Sequence, residues 1–87
     1  MNGQPTLRGL LTYCAAKYGV TPAQMRRAQC SHRARHAVQE FSWRARHATS
    51  ASPRSIAKMV DSDWQSSILQ AAMAYERRER AKARAAA

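Results

Sequence analysis

Eighty-seven residues hold one domain with one modest core, since a chain this short buries only about 60% of its unfolded surface on folding. The formal net charge is +10, from fifteen Lys and Arg against five Asp and Glu, and Glu40 is the sole acid before position 61. That field favours a polyanionic partner over mere surface solvation, which usually mixes both signs. No apolar run approaches the ~20 residues of a bilayer span. Two cysteines, Cys14 and Cys30, form no CxxC pair and no disulfide framework. The composition therefore reads as that of a reduced, cytoplasmic, nucleoid-associated protein with no membrane role.

Residues 1–5 are polar, contain Gly and Pro, and read as a flexible tail. Thr6 is placed to cap a helix in which Leu7, Leu10, Leu11, Cys14 and Tyr18 recur at helical spacing, and Gly19 supplies the left-handed stop. Thr21-Pro22-Ala23-Gln24 has an N-cap, a proline in the first helical position and a capping-box glutamine, which predicts a short second helix to about Arg27. A polar, basic stretch from Ala28 to Arg33 follows.

Ala34, Ala37, Val38, Phe41, Ala45 and Ala48 then mark a long third helix with an apolar face. Arg33, His36, Glu40, Arg44 and His47 are expected opposite it as a mostly basic surface, with Trp43 at the edge of the stripe, and the histidines, His32 and His36 among them, are expected to face phosphates and to be partly protonated near neutral pH. Ser52 and Pro53 open a short fourth helix that turns Ile56, Met59 and Val60 inward. After the turn at Asp61-Ser62-Asp63, a fifth helix is expected from about Asp63 to Glu79 or beyond, with Trp64, Ile68, Ala71 or Ala72, and Tyr75 inward and Gln65, Ser66, Ser67 and Gln70 exposed. The fold class is all-α. The helix-bearing domain is placed at residues 6–76, and residues 77–87 read as a basic Ala/Arg-rich extension leading into a missing region.

Two short helices joined by a tight turn, the second presenting Gln and Ser near its start, match the way a helix-turn-helix reads the major groove. Glutamine amides suit the adenine edge, and serine hydroxyls suit a base edge or a phosphate. Residues 56–71, Ile-Ala-Lys-Met-Val-Asp-Ser-Asp-Trp-Gln-Ser-Ser-Ile-Leu-Gln-Ala, resemble without a gap the signature of the C-terminal DNA-binding domain of the bacterial replication initiator DnaA. Tyr18-Gly19-Val20-Thr21-Pro22 resembles that family's exit from its first helix, and Thr49 and Ser52 fall at its Thr and Ser before the first motif helix.

The resemblance implies a five- or six-helix, Trp-repressor-like domain that binds double-stranded DNA. By position, Gln65 replaces a base-reading His, Ser66 and Ser67 approach bases and phosphates, and Lys58 takes the place of a basic residue on the first motif helix. Arg33 and Arg35 fall in the family's basic loop and would touch phosphates or the minor groove. The chain departs from the family at Trp64-Gln65-Ser66, where Asp-His-Thr is usual, and at Val38, where an Arg is usual. Fold and DNA binding are thus expected to transfer, but the initiator's recognition sequence and its role at an origin are not.

The expected base-reading residues are Gln65, Ser66, Ser67 and Gln70, and the expected phosphate or minor-groove contacts are Arg33, Arg35, Arg54 and Lys58. The expected role is that of a transcription regulator of bacterial, phage or mobile-element type, monomeric or weakly dimeric. Alternatives are origin binding of the initiator kind, or a basic module docking RNA polymerase or another transcription protein.

Cys30, His32 and His36 fall within seven residues, but a fourth ligand is missing and the surrounding arginines repel a cation, so no metal and no other cofactor is expected. Glu40, Asp61, Asp63, Glu76 and Glu79 read as helix-end or surface positions without the paired geometry of acid–base catalysis, so no enzymatic activity is expected. Trp64, at the head of an apolar face, reads as a core residue.

Overall fold

Short-range chemistry sets the helix ends. The Thr6 hydroxyl accepts from the Gly9 N–H at 3.0 Å and opens α1 (Leu7–Tyr18). Gly19 closes it at φ 69°, a left-handed conformation that costs an L side chain on the order of 1 kcal/mol, and its N–H returns to the last turn. A full capping box, Thr21 with Gln24, starts α2 (Pro22–Met25). Ser31 accepts from the Ala34 N–H at 3.0 Å to start α3 (His32–Ala48), and Ser52 accepts from Ser55 at 3.2 Å to start α4 (Pro53–Met59). The last helix, α5 (Gln65–Ala86), runs unbroken for 22 residues, about 33 Å at the usual rise. The computed structural model describes residues 5–27, 31–60 and 65–86, without the side chains of Gln65 and Ser66.

Among the described residues the chain is all-helical, in five helices, with a radius of gyration of 12.6 Å. A folded domain of this length is expected near 12 Å, roughly, so the helices form one packed body. α3 is the axis of that body, because it packs against each of the other four helices, whereas α5 touches only α3 and α4. Leu11, Cys14 and Ala15 from α1, Met25 from α2, and Ala37, Phe41 and Ala45 from α3 meet Ile56, Ala57 and Val60 from the α4 segment and Ile68 from α5 in one cluster. Ala72 and Tyr75 extend the inward face of α5, while Ala71 is half-buried. Trp64, Asp61, Ser62 and Asp63 lie outside the described residues.

The central position of α3 corrects the sequence expectation of one apolar and one basic face. A helix at a surface buries one stripe, but a helix covered by α1 on one side and α5 on the other is enclosed nearly all round. His36, Gln39, Trp43 and Arg44 are accordingly half-buried, Ser42 is fully buried with its hydroxyl donating to the Val38 carbonyl at 2.8 Å, and Ala48 at the helix end is exposed.

The sharpest correction is Glu40, which is 0% exposed rather than a surface acid. Its carboxylate accepts from Tyr18 Oη at 2.8 Å, from Lys17 Nζ at 3.0 Å and from Arg44 Nε. Burial pushes the Glu40 pKa up, but the hydrogen bonds from Arg44, Lys17 and Tyr18 outweigh it and hold the carboxyl below its ordinary value. Glu40 in turn raises Lys17 and Arg44, and burial raises Tyr18. One buried carboxylate thus ties α1 to α3 and neutralises two of the chain's cations.

Candidate nucleic-acid interface

α4 presents a buried edge of Ile56, Ala57 and Val60 to the core it shares with Ile68, the second-turn anchor of α5. Because these four residues fix the two helices against each other, the remaining faces of α4 and α5 are held at a set angle to solvent. On α4, Arg54 and Lys58 are exposed and stand one turn apart, on the same side of the helix. On α5, Ser67 and Gln70 are exposed. Gln65 and Ser66 occupy the first turn of α5, but their side chains lie outside the described residues.

The structure divides the two arginines that the resemblance placed together in a basic loop. Arg33 and Arg35 lie in the first turn of α3, not in a loop, because Ser31 caps the helix one residue before His32. Two residues on a helix differ by roughly 200° in direction, so their side chains leave on different sides. Arg33 faces the α1–α2 turn, its guanidinium 4.0 Å from where a Cβ on Gly19 would stand. Arg35 lines a groove of about 340 Å³ between α3 and α5, together with Gln39, Ser67, Gln70 and Arg77 over a floor of Val38, Ala71 and Ala74. Arg35, Ser67 and Gln70 are therefore brought together, and Arg33 is not.

Three features of this face were missed in the sequence. Arg77, read there as the start of a solvated extension, belongs to the groove. Met73 is 54% exposed and lies between Gln70 and Arg77 on a stripe continued by Arg80 and Arg84, at spacings of three and four. The three- and four-residue spacing from Gln70 is the sequence signal that marks Met73 as part of this face. Arg78 does not simply solvate the tail: its guanidinium sits 5.5 Å over the Tyr75 ring and reaches the His36 carbonyl at 3.5 Å.

Among the described residues the arginines and lysine of this face find no carboxylate. Among the described residues, Glu40 pairs with Lys17 and Arg44, Glu76 with His47 and Arg80, and Glu79 with Lys82, so Arg33, Arg35, Arg54, Lys58 and Arg77 have no carboxylate partner. Trp43 has a structural job beside Glu76, donating its indole N–H at 3.1 Å and packing on Tyr75 and His47.

His36 differs from the expected phosphate-facing, partly protonated histidine. It is half-buried, and burial and then Arg78 push its pKa down, which disfavours the charged ring. Cys30 lies outside the described residues, and among those described no three His, Cys, Asp or Glu side chains group as metal ligands. No described helix is long and apolar enough to cross a membrane. A second hollow, against Ala23, Gln24, Arg27 and Ser31, involves α2, which makes no contact with α5.

No protein-family model, no curated protein and no solved structure matches this chain.

Proposed function

We propose that the chain binds double-stranded DNA through a helix-turn-helix made of α4 and α5, as the DNA-binding domain of a transcription regulator. The observation that carries this reading is the α5 face: Ser67 and Gln70, exposed near the helix start, share a groove with Arg35 and Arg77, and no carboxylate lines it among the described residues. Neutral donors and acceptors that suit base edges lie beside permanent cations that suit phosphates, which is the division of labour a major-groove reader needs. Arg54 and Lys58 on α4 supply further phosphate contacts, while Gln65 and Ser66 begin the reading helix and Met73 offers an apolar contact for a thymine methyl.

The resemblance of residues 56–71 to the DnaA signature supports the same reading and favours a Trp-repressor-like arrangement. The departures at Trp64, Gln65 and Ser66 favour a regulator of phage or mobile-element type over an origin-binding initiator. A chain with so few base-reading groups binds as a monomer or weak dimer with modest specificity, unless a second copy adds avidity. The exposed Arg80–Ala86 end of α5 favours a second, compatible role, docking an acidic surface of a transcription protein such as RNA polymerase.

Fluorescence anisotropy with a random-sequence duplex and with a pool selected by the protein tests the reading. About five to eight phosphate contacts give a slope of log K against log salt of roughly −4 to −7. A slope near zero sinks the DNA reading. Gln65→Ala and Gln70→Ala are expected to lose the preference for the selected pool while keeping random-duplex binding.

A further inference from the structure

The groove between α3 and α5 has three properties that do not follow from packing. Its two arginines come from positions 42 residues apart, Arg35 near the start of α3 and Arg77 past the middle of α5, yet they line the same depression. Neither has a carboxylate partner among the described residues. Gln39 lines the same groove, and its Oε1 is buried without a hydrogen-bond partner among the described residues. A buried amide oxygen left unpaired is costly, and the same amide keeps an NH2 donor on its other arm.

The geometry points to this groove as the seat of one DNA backbone phosphate, gripped by Arg35 from α3 and Arg77 from α5 and met at the floor by the Gln39 amide. This deepens the DNA-binding reading and rests on it. A phosphodiester is acceptor-only and negative. Two guanidinium forks are donor-only, the Ser67 hydroxyl and the Gln70 and Gln39 amides can each turn a donor to it, and the apolar floor of Val38, Ala71 and Ala74 lowers competition from water. Because the same groove carries Ser67 and Gln70, the seated strand also fixes the register of α5 against the base edges. Arg77 is thereby assigned to DNA and not to a protein-docking extension.

The test is the salt dependence of random-duplex binding by the full chain, with a thermal melt of each variant to confirm folding. Arg35→Gln and Arg77→Gln are each expected to flatten the slope by up to about one, and the double variant by no more than about one, because both arginines neutralise the same phosphate. Arg8→Gln removes the same charge from α1, which makes no contact with α5, and is expected to leave the slope as it was. Gln39→Leu is expected to weaken binding about two- to tenfold at fixed salt with the slope unchanged. Gln39→Glu, close in shape, places a carboxylate in the groove beside the arginines and is expected to flatten the slope by about one.

A wild-type slope near zero overturns the DNA reading and this seat with it. A steep wild-type slope with Arg35→Gln and Arg77→Gln behaving like Arg8→Gln overturns the seat alone. Full affinity in Gln39→Leu, or an unchanged slope in Gln39→Glu, overturns it as well.

Discussion

The α1–α3 layer and the α4–α5 layer use charge in opposite ways. In the first, Glu40 sits fully buried and takes hydrogen bonds from Lys17, Tyr18 and Arg44, so cations serve the fold. In the second, Arg54, Lys58 and Arg77 are exposed with no carboxylate partner among the described residues. A net charge of +10 is thus not a uniform coat. The cations that a polyanion can use are a subset, chosen by where the few acids lie.

The strongest way to break this contrast is Glu40→Gln. It leaves Lys17 and Arg44 without their carboxylate, and because both remain part-exposed, the expected loss is about 2–4 kcal/mol, toward the lower end for breaking a buried pair. For a domain of this size that lowers Tm by on the order of 10–30 °C. The folded fraction, measured in the cold, should still bind a random duplex with the wild-type salt slope. A changed slope would mean that the two layers are not separate in their use of charge.

The same carboxylate predicts a pH dependence. Its folded pKa is below the unfolded value, so its contribution is fully present above the unfolded pKa, about 4.3, and is lost as pH falls through the folded pKa. Urea unfolding of wild type and Glu40→Gln from pH 7 to pH 3 should therefore show a constant gap down to about pH 4.5 and a shrinking one below. A gap that widened on acidification would overturn the assignment.

Smaller effects sharpen the comparison from the other layer. Ser52→Ala removes the cap of α4 and is expected to cost about 1 kcal/mol, read by a thermal melt. A matched pair of lysines gives the finest test: Lys58→Gln should flatten the DNA salt slope by about one without moving Tm, whereas Lys17→Gln should lower Tm and leave the slope alone.

What was legible in the sequence was local. Thr6, Gly19, the Thr21–Gln24 box and Ser52-Pro53 mark helix ends through contacts within three or four residues, and the structure places those ends where the residues predict. Ile56, Val60, Ile68 and Tyr75 were legible as buried, and Ser67 and Gln70 as exposed, because helical periodicity alone decides them. Glu40 was not, since its burial depends on α1 bringing Lys17 and Tyr18 over the flank of α3. Arg33 and Arg35 read as one basic pair because they are neighbours in sequence, and only the helix starting at His32 separates them. The meeting of Arg35 with Ser67, Gln70 and Arg77 is set by how α3 crosses α5, which no local pattern encodes.

Cys14 is fully buried between α1 and its neighbours, and burial, followed by the nearby Glu40 charge, pushes its thiol pKa up to about 12. At neutral pH the folded protein therefore holds this sulfur as an unreactive thiol, and alkylation must wait for α1 to leave the body. In a Cys30→Ser background, the labelling rate of this one atom becomes a clock for that departure, ticking at the frequency with which the domain opens and comes back together.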